Sequence, residues 1–75
     1  MARASKVIHD FGKVRVMDSG QDPTQVSSDI LVQELMDGDW VYVCGFNSLS
    51  DDYAYTNARE AAERHNRSLA APSRI

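Results

Sequence analysis

The dipeptide Asp37-Gly38 constrains this chain more than any other feature of it. It stands between the apolar runs Ile30-Leu31-Val32 and Trp40-Val41-Tyr42-Val43-Cys44. A two-residue type I′ turn needs positive φ at both central positions, which Asp and Gly tolerate, so the pattern predicts a β-hairpin. The register set by that turn places Leu35 opposite Trp40, Gln33 opposite Tyr42 and Leu31 opposite Cys44. Glu34 with Val41, and Val32 with Val43, fall on the other face. Both faces are then substantially apolar. One can be covered by a helix of the same chain, and the second has nothing obvious to cover it. The rival reading makes residues 26–36 a helix with Gly38 as its C′ residue. In that reading Ile30, Leu31, Val32, Leu35 and Met36 scatter around the wheel without forming a face.

The remaining segments follow from period and punctuation. Lys6 to Asp18 reads as one strand, bent or bulged at Gly12, because Lys13-Val14-Arg15-Val16 alternates charged and apolar residues. Asp18-Ser19-Gly20-Gln21-Asp22-Pro23-Thr24 is a surface loop, and a second loop spans Gly45 to Tyr55. A helix is expected next, with Thr56 or Asn57 as N-cap and Asn57 with Glu60 as a capping box. Ala58, Ala61, Ala62, His65 and Leu69 make its apolar stripe. Arg59 with Glu63, Glu60 with Arg64, and Glu63 with Arg67 face water at i, i+4 spacing, and Pro72 stops the helix. The expected fold is α+β, β-β-β-α: a small antiparallel three-stranded sheet with one C-terminal helix packed across it. It forms a single domain over 1–75, with loose ends at 1–5 and 71–75.

At 75 residues, a chain buries only roughly 60% of its unfolded surface and has little volume for a deep catalytic cleft. One cysteine, Cys44, excludes an internal disulfide and leaves no Cys-based zinc site. No apolar run reaches the ~18 residues of a membrane span, and the first six residues lack a signal-peptide core. A cytoplasmic protein is expected. His9 and Asp10, adjacent in a strand, point to opposite faces and form no dyad. His65 reads as a packed histidine and Cys44 as a small buried hydrophobe. Asp37-Gly38-Asp39 and Asp51-Asp52 lack the spacing of a calcium loop, and Asn66-Arg67-Ser68 is a sequon without a secretory context. Neither enzymatic activity, a cofactor nor a metal is expected.

Charge carries the functional expectation. The net charge of −3 is segregated: no Lys or Arg occurs from Val16 to Ala58, a block holding eight acids. Tyr and Trp beside depleted Lys are favoured at interfaces. The chain is therefore expected to dock an acidic, aromatic surface onto a basic nucleic-acid-binding partner. The expected contact residues are Asp37, Asp39, Asp51, Asp52, Tyr53 and Tyr55, supported by Asp29 and Glu34. The alternative is a nucleic-acid-binding accessory protein using Lys6, Lys13, Arg15, Arg59, Arg64 and Arg67. A homodimer through the second sheet face or an exposed edge strand is a third possibility.

The stretch Leu35-Met36-Asp37-Gly38-Asp39-Trp40-Val41-Tyr42-Val43 resembles the acidic Asp-Gly-acid-Trp turn into a final strand found in small phage-encoded inhibitors of host defence, of which anti-CRISPR proteins are the best-known group. The short chain, acidic bias and absence of an enzyme motif are similar to that group as well. The resemblance implies binding to a CRISPR effector complex in the host cytoplasm, with carboxylates occupying grooves meant for DNA or guide RNA.

Overall fold

The computed structural model describes residues 4–70. The chain is α+β. Strands β1 (Lys6–Asp10), β2 (Val14–Asp18), β3 (Ile30–Met36) and β4 (Asp39–Phe46) are followed by helix α1 (Ala54–Ala70). The strands form one antiparallel sheet in chain order, β1-β2-β3-β4, and α1 lies across β2, β3 and β4. The expected loose ends at 1–5 and 71–75 lie largely outside the described residues, as does Pro72. Ala4 and Ser5, which are described, are exposed and precede the first strand.

The sheet has four strands where three were expected, because Lys6–Asp18 folds back on itself. Gly12 takes φ 91°, a conformation that costs glycine little. The Asp10 carboxylate accepts the Gly12 N–H at 2.8 Å, and the Phe11 N–H donates to the Val14 carbonyl at 2.8 Å. The expected bend is thus a closed turn joining two paired strands.

The hairpin reading of residues 30–46 holds over its helical rival. Asp37 at φ 52° and Gly38 at φ 85° form the turn, and Met36 pairs with Asp39, Leu35 with Trp40, Glu34 with Val41 and Gln33 with Tyr42. Beyond that point the expected register needs correction. A bulge at Val43 shifts the ladder, so Val32 pairs with Cys44 rather than Val43, and Leu31 with Gly45 rather than Cys44. One extra residue on β4 turns the strand after it, and Cys44 and Phe46 pack on the helix side as a result.

Val14, Val16, Ile30 and Val32 from the sheet and Ala54, Ala58 and Ala62 from the helix form the buried core. The β-branched residues suit the pleated surface. Removing each from water stabilises the fold by roughly 1.5–3 kcal/mol. The alanines, four residues apart, bring the helix backbone close to the sheet. Ile8, Phe11, Val43, Cys44, Phe46 and Ala61 close the margins.

The helix starts earlier than Thr56 or Asn57, and Asp51 caps it. The Asp51 carboxylate accepts the Tyr53 N–H at 2.9 Å and the Asn57 side-chain amide at 3.0 Å, while its carbonyl accepts the Ala54 N–H at 3.1 Å. A carboxylate here satisfies an orphan amide and meets the positive end of the helix dipole. Asn57 therefore steadies the cap rather than forming it.

Candidate functional site

Of the expected contact residues, the structure brings together Asp37 and Asp39 at the β3–β4 turn. β2 pairs with β3 only as far as Glu34, with one further bond from the Leu35 N–H to the Lys13 carbonyl. The last turn of the hairpin therefore extends past its neighbour. Leu35 (37% exposed) and Met36 (49% exposed) stand beside the two exposed carboxylates. The tip presents negative charge next to uncovered apolar side chains.

Asp52, Tyr53 and Tyr55 are exposed at the start of α1. They lie at the other end of the sheet, because the helix runs back along β4 from the Phe46 end. A seven-residue strand spans roughly 20 Å, more than two Debye lengths at physiological salt. The expected single electronegative region is accordingly two regions.

Three expected contact residues are committed inside the fold. Asp29 is fully buried and accepts the Ser48 N–H at 2.8 Å and the Ser48 hydroxyl at 2.6 Å. It joins the end of the β2–β3 loop to the β4–α1 loop, so it presents no carboxylate to a partner. Asp51 is occupied by its cap. Glu34 sits 2.5 Å from His65 Nε2, linking β3 to the second half of the helix. This contact also accounts for His65, a polar member of the expected apolar stripe, whereas Leu69 at the end of that stripe is exposed.

The face of the sheet away from α1 carries features that pattern reading missed. Arg15 lies with its guanidinium carbon 4.0 Å from the centre of the Trp40 ring, and its Nε donates to Gln33 at 2.8 Å. A guanidinium over an indole face is electrostatically favourable. Arg15, the base expected to serve a nucleic-acid surface, is engaged in this stack. Met17 and Leu31 adjoin it along the ladder, and Tyr42 (60% exposed) borders it. Only the alternation of β2, with Val14 and Val16 inward and Arg15 and Met17 outward, signals this arrangement in the sequence.

Asn47 organises the loop leading to the helix. Its amide donates to the carbonyls of Pro23 and Val26 at 2.9 and 3.0 Å, and its oxygen accepts the N–H groups of Leu49 and Ser50 at 2.9 and 3.1 Å. His9 stacks on Phe11 and Asp10 serves the turn, so the two have separate structural roles. Burial pushes the Cys44 thiol above its ordinary pKa, partly offset by the charge of Arg64, which disfavours the reactive thiolate. On the surface Arg59 pairs with Glu63 at 3.7 Å, a bond of small worth in water.

Among the described residues no pocket is found and no group of three or more His, Cys, Asp or Glu could hold a metal ion. No described helix is long and apolar enough to cross a membrane. No protein-family model, curated protein or solved structure matches the chain.

Proposed function

We propose that this chain is a non-enzymatic docking protein that presents the β3–β4 tip to a basic surface of a nucleic-acid-binding partner. The observation that carries this reading is the pairing of two exposed carboxylates, Asp37 and Asp39, with uncovered Leu35 and Met36 on a hairpin end that outruns β2. Carboxylates steer the encounter and select a partner lined with Lys or Arg, while the apolar side chains supply contact area. Asp52, Tyr53 and Tyr55 offer a second, separate contact at the far end. The partner class that suits such a surface is a protein or ribonucleoprotein whose groove normally holds phosphate. We place the chain with phage-encoded, anti-CRISPR-like inhibitors acting in the host cytoplasm, where occupancy of that groove would exclude DNA.

The test is a mobility-shift assay of target DNA with guide-loaded CRISPR effector complexes, to which the chain is added at increasing concentration. Wild-type protein is expected to release DNA from a susceptible effector. Asp37→Lys with Asp39→Lys should weaken that effect about tenfold or more, in line with the coupling of close interfacial charges, and reduce its salt sensitivity. Asp52→Lys, at the other end of the sheet, should change it less. If the doubly reversed protein inhibits as well as wild type, the tip is not the docking element.

A further inference from the structure

The two edges of the sheet differ in how they meet a foreign strand. β1 is five residues long, has Lys6 and Asp10 at its ends, and loses register with β2 between Val7 and His9. A short, charged, bulged edge resists further pairing. β4 is eight residues long, and its only charge is Asp39 at the beginning. Among the described residues, no strand pairs with its outer side.

The turn fixes which backbone groups of β4 point outward. In a two-residue hairpin the pair flanking the loop, here Met36 and Asp39, is hydrogen-bonded, and bonded and non-bonded pairs then alternate. Val41 is the next residue to bond β3, so the N–H and C=O groups of Trp40 and Tyr42 point away from the sheet. The ladder is regular from Asp39 to Tyr42 and bulges only afterwards. Val41 (43% exposed) and Tyr42 (60% exposed) lie on opposite faces of this regular stretch.

We infer that β4 pairs antiparallel with β4 of a second copy of this chain, about a two-fold axis at Val41. In this register Trp40 exchanges both backbone bonds with Tyr42 of the second copy, and Tyr42 with its Trp40. The outward-pointing groups of both strands are matched in phase. The aromatic side chains meet across the seam on the open face, and Val41 meets Val41 on the helix side, so like chemistry faces like at each position. Antiparallel pairing also sends the two Asp37–Asp39 tips in opposite directions, whereas parallel pairing would bring four carboxylates together. A second copy fits this edge better than a charged peptide, because the paired stretch offers such a peptide no charge beyond Asp39.

The inference goes beyond docking at the tip, and its test contains this chain alone. Sedimentation velocity from about 5 to 500 µM, a range bracketing the modest affinity of small interfaces, should show the mass rise from 8.4 kDa towards double that value. Val41→Lys places two ammonium groups at the axis and should remain monomeric throughout, with unchanged circular dichroism. A non-bonded antiparallel pair brings Cα atoms to about 4.5 Å, within disulfide reach. Val41→Cys in a Cys44→Ser background should therefore form a covalent dimer on mild oxidation, and Met36→Cys in the same background should not. A wild-type mass fixed at that of the monomer, a dimer that survives Val41→Lys, or equal cross-linking at positions 36 and 41 would each overturn the seam.

Discussion

Asp29 shows how much a single side chain can differ in role from its neighbours of the same type. Its carboxylate is fully buried and takes two hydrogen bonds from Ser48, holding two loops together where the strands end. Replacing it with alanine removes a charged acceptor and leaves a backbone N–H without its partner, which costs about 2–3 kcal/mol. Asp29→Ala should lower the unfolding free energy from urea titration by that amount, while Asp37→Asn, which keeps a residue tolerant of positive φ at the exposed tip, should leave it within about 0.5 kcal/mol of wild type. In sequence the two aspartates are members of one acidic block. Asp37 could be placed outside because the turn itself requires it there. The burial of Asp29 and the cap role of Asp51 depend on Ser48 and Asn57, whose approach no local pattern specifies.

Among the elements, the hairpin was legible because its turn chemistry and the apolar runs on either side agree. The bulge at Val43 was not, since Val41-Tyr42-Val43-Cys44 reads as an unbroken strand with no glycine to mark the extra residue. Gly12 carried the opposite ambiguity. A lone glycine in an alternating run fits a bulge as well as a turn, and the bonds made by Asp10 and Phe11 decide between them. The alanine face of α1 was visible from spacing alone, and its consequence is steric. Ala58 has no exposed surface and packs with β-branched residues of the sheet. Ala58→Leu should destabilise the fold by about 1–3 kcal/mol through overpacking, seen as a lower thermal midpoint. The same change at exposed Thr56 should be near neutral.

For the molecule as a whole, composition indicated an acidic middle but not how topology would divide it. β4 runs the length of the sheet, so the acids before and after it in sequence are carried to its two ends. Because each strand pairs with its neighbour in the chain, the sheet itself closes by short loops, which favours fast pairing of its strands. Stopped-flow refolding followed by Trp40 fluorescence should show one phase complete within on the order of 100 ms. A dominant slower phase that a prolyl isomerase does not accelerate would mean that some non-neighbour pairing forms first. The form of β1 sets a limit of another kind. Once the β4 edges of two molecules are joined, the borders left to the combined sheet are two copies of that short, irregular strand with its lysine and aspartate. Neither border templates a third molecule, so association halts as a closed pair instead of running on into a fibril.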